Sequence, residues 1–314
     1  MEYRRKHVVL SLRVLVSLGI LFTLAWWLPL DTVFKAFKSL PATLWFQTIL
    51  IFLMGHAVAA MKWRYTLQKY NLQIGVIETV RAHLSGLFAN ICLPSIVGGD
   101  IVRATMISNK FRKKEIIIAG SIVDRLIDTI ALVLLMTIAA AFVIELPALR
   151  IPQNSLTILS VLIGILCLLA VLIIKYRNHG LLKAGLQKLT DSIRTIFRQP
   201  QTILIILAIS LFVQTLFILL NIRIGRALGI DADWQVWFFC WPLAKLIALV
   251  PISLGGIGVR DAALVTLLGT YGVITGVAFA QSLAWQAILI LSGIIAGTVA
   301  VLSSPSGFKI FRPQ

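Results

Sequence analysis

The chain has 314 residues, of which 59% are hydrophobic and 13% charged, with a formal net charge of +17 and a mean hydropathy of +0.95. Several apolar stretches exceed the length that crosses a bilayer, which excludes a soluble globular domain and indicates a polytopic integral membrane protein. In a soluble protein so basic a balance would point to nucleic acid. Here the basic residues stand between apolar spans, as in loops held on the cytoplasmic side beside anionic lipid.

The basic start Met1-Glu2-Tyr3-Arg4-Arg5-Lys6-His7 precedes an apolar run with no small-residue cleavage site before Trp26-Trp27-Leu28-Pro29, so it predicts a retained first span at about 8–28. An amphipathic connector with Asp31, Lys35 and Lys38 leads to a second span at about 42–61, and Lys62, Arg64 and Lys69 return the chain to its starting side. Residues 79–94 are apolar but short for a span, and after a break the chain meets Lys110, Arg112, Lys113 and Lys114, so this segment is predicted to enter and leave on one side. The stretch 116–144 carries Asp124, Arg125 and Asp128 in its first half and an uninterrupted apolar run after Thr129. A span at about 155–174 returns to Lys175. Over 177–199, Leu181, Leu182, Leu186, Leu189, Ile193 and Phe197 recur at helical spacing among basic residues, predicting an amphipathic helix on the cytoplasmic surface. A span at about 201–222 follows, then 234–250 enters, breaks and leaves through 262–271, and a last span covers about 276–302.

The two breaks are written alike. Pro94-Ser95-Ile96-Val97-Gly98-Gly99-Asp100-Ile101-Val102-Arg103 aligns without a gap on Pro251-Ile252-Ser253-Leu254-Gly255-Gly256-Ile257-Gly258-Val259-Arg260, and the offset of 157 residues is half of 314. Both lie in apolar sequence. Hydrocarbon cannot satisfy freed backbone groups, so such a break persists only where it is buried in protein or lines a wet cavity. Paired breaks in corresponding halves point to a transport site at a repeat interface. By this path 19 Lys and Arg fall on one side and 5 on the other, which places both termini in the cytoplasm and makes the two broken hairpins enter from opposite sides. The expected architecture is all-α: one transmembrane domain, 1–314, with about six full spans and two re-entrant hairpins in an inverted repeat of halves at about 1–157 and 158–314.

A half-helix beginning after each Gly-Gly would point its positive end into the break, with Arg103 and Arg260 in or near the first turn, an arrangement that suits an anion and above all phosphate. The competing reading is a structural ion pair of each Arg with Asp100 or Asp261. Asp100, directly after Gly-Gly, has the position of a helix cap. Asp124 and Asp128 stand one turn apart with Arg125 within i,i+3 reach of Asp128; either they are a functional intramembrane cluster or they snorkel at the interface. Lys245 is the one charge between Trp234 and Pro251, and it is either a snorkelling lysine or, the reading slightly favoured, a second phosphate contact. His56 and His83 read as polar core residues. Cys92, Cys167 and Cys240 have neither disulfide nor zinc spacing, and no Gly-x-Ser-x-Gly, His-Glu-x-x-His or P-loop occurs, so no metal, cofactor or catalytic nucleophile is expected.

Taken in order, Asn90-x-x-x-Pro94-x-x-x-Gly98-Gly99-Asp100-x-x-Arg103, Asp124-Arg125-x-x-Asp128 and Pro251-x-x-x-Gly255-Gly256-x-Gly258-x-Arg260-Asp261 resemble the lysylphosphatidylglycerol synthase transmembrane, or flippase-like, family over essentially the whole chain. That membrane region is similar to the flippase part of the multiple peptide resistance factor, and related members sit beside pathways using polyprenyl-phosphate sugars, hopanoids and other lipids. The resemblance implies movement of an anionic lipid headgroup, of a phospholipid or a polyprenyl-phosphate-linked sugar, between leaflets of the inner membrane. These motif residues, with Lys245, would contact the substrate. Its partners would be the lipid, the membrane and enzymes of lipid or glycan pathways, with no nucleic acid. Bifunctional members carry a soluble aminoacyl transferase domain after this region; the chain stops at Gln314, so lysine transfer is not expected. Asp261 stands where members commonly have Glu, which keeps the charge and changes its reach. Two other classes stay open: an intramembrane lipid-modifying transferase using Asp100 or Asp124 as base, and a transporter of a small soluble anion.

Overall fold

A computed structural model describes Lys35 and residues 38–92, 98–111, 113–144, 182–249 and 258–303. The spans expected at about 8–28 and 155–174 lie outside the described residues, as do Pro94, Pro251, Gly255 and Gly256. The described elements are α1 (Ala42–Gln68), α2 (Val76–Cys92), α3 (Gly98–Phe111), α4 (Lys114–Ile144), α5 (Leu182–Phe197), α6 (Pro200–Ala227), α7 (Trp234–Ile247), α8 (Val259–Thr270) and α9 (Thr275–Leu302). Among the described residues there are no strands. Four helices, α1, α4, α6 and α9, are long and apolar enough to cross a membrane.

α1 continues past its expected end at about Met61 because no Pro or Gly stops it before Gly75. The sequence Trp63-Arg64-Tyr65-Thr66-Leu67 carries the helix to Gln68. α4 is likewise one continuous helix whose first turns include Asp124, Arg125 and Asp128.

Paired residues give the direction of each helix. Along α1 and α6, Gln47 meets Arg223, Gly55 faces Phe217 and Lys62 meets Ser210, so these two run antiparallel. α1 is antiparallel to α4, where Lys62 meets Asp128 and Leu67 faces Gly120. α6 is antiparallel to α9, where Phe217 meets Trp285 and Asn221 meets Gln281. Hence α1 and α9 point one way and α4 and α6 the other. The short pair α2 and α3 begins at the end of α1 and finishes at the start of α4, both at the same end of the bundle. α7 and α8 connect the end of α6 to the start of α9 at the opposite end.

The first limb of each short pair packs on a distant long helix. On α9, Arg81 of α2 bonds the carbonyl of Ser303, Phe88 lies on Gly297 and Ile91 on Gly293. On α4, Trp234 of α7 stacks near Phe142, while Lys245 shares a cavity wall with Asp128 and Leu132. From Ser303 to Gly293 is ten residues of helix, about 15 Å at 1.5 Å each, or about half the hydrocarbon thickness.

Within lipid, helix association rests on close van der Waals packing, so small residues sit where large ones dock. Trp237 is fully buried on Gly225, and Phe52, Phe217, Trp241 and Trp285 form a ring cluster between α1, α6, α7 and α9. Phe46, Met54, Ile138, Leu204, Phe212 and Ile294 lie on the outside. An apolar exterior is what a lipid solvent requires.

Gly99 is the tightest contact between α2 and α3. A Cβ there would come within 2.3 Å of the Gly86 carbonyl oxygen and 2.5 Å of Asn90 Oδ1. Because the nearest obstacle is backbone, Gly99→Ala is expected to destabilise by about 1–3 kcal/mol. Gly269→Ala, with nothing within 4 Å, should be near neutral. Thermal unfolding of both variants in detergent checks this; equal midpoints would contradict the contact.

Candidate functional site

The break before α3 is closed by polar contacts of its own helices. The Gly99 N–H donates to Asn90 Oδ1 at 2.9 Å, which satisfies one free donor of the helix start. Since α3 begins at Gly98, Asp100 lies within the first turn and Arg103 one turn deeper. Asp100 is therefore no cap. Its Oδ2 accepts from Arg125 Nε at 2.5 Å, and its Oδ1 is 3.0 Å from Arg103 Nη2.

Arg103 also donates to Asp124 Oδ2 at 2.9 Å and lies over the Trp63 ring at 4.6 Å. On the other side of Asp124, Lys62 Nζ lies 3.0 Å from Oδ1, an ion pair without hydrogen-bond alignment. The same ammonium donates to Asp128 Oδ1 at 2.5 Å and to Ser210 Oγ at 2.9 Å, with Lys62 only 1% exposed. These bonds correct the expected Arg125–Asp128 pair. The fully desolvated Lys62 takes Asp128, and Arg125 reaches across to Asp100. Asp124 is buried and doubly paired, whereas the side chains of Arg125 and Asp128 are 44% and 25% exposed.

Two histidines join the cluster. His56 Nδ1 and His83 Nε2 are 3.2 Å apart, and His83 Nδ1 is 3.3 Å from Arg103 Nη1. A guanidinium can only donate, so His83 Nδ1 is the acceptor, Nε2 carries the hydrogen, and His56 Nδ1 accepts it. The geometry thus sets a directed chain, Arg103 to His83 to His56, of neutral imidazoles.

The second half repeats the theme. Gly258 has φ +83°, a backbone state that needs glycine, and it turns the chain into α8. Its N–H donates to Asp261 Oδ2 at 2.9 Å, so the capping role expected of Asp100 falls to Asp261. Asp261 Oδ1 accepts from Arg260 Nη2 at 2.8 Å and from Ser282 Oγ at 2.6 Å. Arg260 further donates to Gln286 Oε1 at 2.8 Å and lies 5.7 Å from the Trp241 ring centre. Each repeated arginine therefore holds a nearby aspartate and a tryptophan face. Lys245 donates to Gln214 Oε1 at 2.9 Å, and among the described residues no carboxylate pairs with it.

Two cavities lie between these groups. One, about 140 Å³, is lined by Asp100, Arg103, Asp124, Asp128, His83 and Gln214 among others. The other, about 280 Å³, is lined by Arg260, Trp241, Trp285, Gln286, Phe52 and Ile290 among others. His56, Leu87, Asn90, Arg125, Phe217 and Lys245 belong to both walls, so the cavities abut. Arg103 and Arg260 thus occupy neighbouring chambers with a shared partition. The cavities bring together Asn90, Gly99, Asp100, Arg103, Asp124, Arg125, Asp128, Lys245 and Arg260, with Asp261 behind Arg260.

Lys62 is the member of the buried cluster that the charge pattern hides, because beside Arg64 and Lys69 it reads as the end of a span. The signal that finds it is the uninterrupted helical sequence beyond it. His56 and His83 are 27 positions apart, and only the packing of α1 on α2 brings them into contact.

The chain belongs to the family described as the lysylphosphatidylglycerol synthase TM region, which it matches over residues 10–297. It is also similar to a UPF0104 membrane protein of Pyrococcus horikoshii, 22% identical over 168 residues, a stretch that covers 52% of this chain and 47% of that protein. The matched stretch spans about half the length of that relative.

Removing one partner of a buried pair leaves an uncompensated charge and typically costs about 3–5 kcal/mol. Lys62→Met is therefore expected to lower stability by that order, and adding Asp128→Asn, which removes the carboxylate left without its cation, should restore part of it. A denaturant or thermal series in mixed micelles measures both; a silent Lys62→Met would contradict the buried network.

Proposed function

We propose that this member of the lysylphosphatidylglycerol synthase TM-region family carries an anionic lipid headgroup between leaflets, through the two chambers that hold Arg103 and Arg260. The observation that supports it most is the shared partition. Two arginines in equivalent sequence positions line adjacent cavities, with Lys245 and Arg125 exposed to both. A headgroup phosphate could pass from one cation to the next while its tails stay in lipid. Guanidinium groups backed by aspartates at 2.8–3.0 Å are held in place when the site is empty, which limits the cost of bare buried charge.

In this reading α2–α3 and α7–α8 are re-entrant hairpins from opposite faces, within an inverted repeat that also contains the spans expected at about 8–28 and 155–174. Support comes from matching partners. α1 with α6 is a pair of equivalent helices running antiparallel, and the α2–α9 contact has its counterpart in α7–α4. Limbs that reach about half the bilayer thickness would meet at the midplane, where such repeats place substrate. The excess of Lys and Arg at one end favours cytoplasmic termini and an inner-membrane location.

Transport is preferred to lipid-modifying catalysis because Asp100 and Asp124, the candidate bases, are each committed to two cations. A general base needs a free lone pair within reach of its proton.

In proteoliposomes, fluorescent anionic phospholipid and polyprenyl-phosphate sugar are expected to exchange between leaflets with the wild type, and Arg103→Ala and Arg260→Ala, matched for folding, should each lose most of that exchange. Chemical change of a lipid without exchange would move the transferase reading to first place. For the hairpins, single cysteines at Glu78 and Asp233 in a background without native cysteines should label with impermeant reagent from opposite faces of the membrane. Labelling from one face would overturn the inverted arrangement.

A further inference from the structure

The charges of the two chambers can be counted group by group. Among the described residues, the cations that line the cavities or pair with a lining residue are Lys62, Arg103, Arg125, Lys245 and Arg260. The carboxylates are Asp100, Asp124, Asp128 and Asp261. His56 and His83 add nothing, because the donor chain from Arg103 fixes both as neutral. Residues 93–97 and 250–257, which join the helices at the two breaks, contain no ionisable side chain.

Among the described residues five cations thus face four carboxylates, and the imbalance has an address. Lys62, Arg103, Arg125 and Arg260 each lie within 3.0 Å of a carboxylate oxygen. Lys245 has the neutral Gln214 amide and the Phe217 ring, 5.8 Å from its ammonium. It stands in the wall common to both chambers, where either one can present a ligand to it.

We infer that Lys245 is the charge-matching residue of the site and that the site selects a headgroup with one net negative charge, a phosphodiester carrying no compensating cation. An isolated charge in a low-dielectric interior is costly, so a ligand that brings the total to zero is favoured in both chambers. A phosphomonoester, at about −1.5 to −2 near neutral pH, would leave an uncompensated negative charge. A zwitterionic headgroup would leave the lysine unmatched.

This inference rests on the transport reading, and one experiment separates the two. Wild-type proteoliposomes are loaded at pH 7 with labelled phosphatidylglycerol (a monoanionic phosphodiester), phosphatidic acid (a phosphomonoester) or phosphatidylcholine (a zwitterion), and leaflet exchange of each is timed. Phosphatidylglycerol is expected to exchange about tenfold faster than the other two. Lys245→Gln should reduce that rate by about tenfold and abolish the preference over phosphatidylcholine, and Lys245→Arg should retain the preference. Equal wild-type rates for all three lipids, faster movement of phosphatidic acid, or a preference that survives in Lys245→Gln would overturn the charge match while leaving transport intact. No exchange of any lipid would overturn the transport reading itself. The wild-type comparison stands even where a variant fails to fold.

Discussion

The ammonium of Lys62 is the constraint around which the first half is built. A lysine 1% exposed in a membrane bundle must be matched by carboxylates, and it draws Asp124 and Asp128 of α4 and Ser210 of α6 to one point of α1. Asp124 passes the demand on to Arg103, and Arg103 to Asp100 and Arg125. Three helices and one short hairpin are thereby locked in register by electrostatics, which are directional where lipid-solvated packing is not. Among the described residues, the second half has no such chain. Arg260 and Asp261 are neighbours on one turn, and their register is set by Ser282 and Gln286 of α9.

That contrast gives the two chambers different characters from related sequences. The smaller has the ion pairs of Asp100, Arg103, Asp124, Arg125 and Asp128 in its wall, and the larger has Trp241, Trp285, Phe52 and Phe217 with the amides of Asn90 and Gln286. A charged group in the first would be exchanged among fixed partners. In the second it would meet Arg260 and Lys245, with the ring faces holding the cations and not the anion.

Most of the helix content could be read from the sequence, because apolar runs longer than a bilayer leave little freedom and because Pro and Gly mark where backbone bonds fail. The repeated motif led directly to Arg103 and Arg260. What sequence spacing could not supply was partnership. Arg125 at i,i+3 from Asp128 is a sound local expectation, yet the buried Lys62 competes for that carboxylate from 66 positions away. Asp100 has the position of a cap after Gly-Gly, but the helix starts two residues earlier and Asp261 serves instead. Both outcomes depend on which helix packs against which, and that is set by long-range contacts that no window of sequence contains. Family membership adds a fold-level frame and leaves the headgroup unspecified.

The position of Lys62 also bears on biogenesis. When α1 is first made, neither α4 nor α6 has been synthesised, so the lysine has no carboxylate from α4 and is best left in water at the end of its helix. It can be drawn inward only after α4, with Asp124 and Asp128, has followed. The same side chain is thus a solvated charge while α1 stands alone and becomes the keystone of the interior only when α4 and α6 close on it.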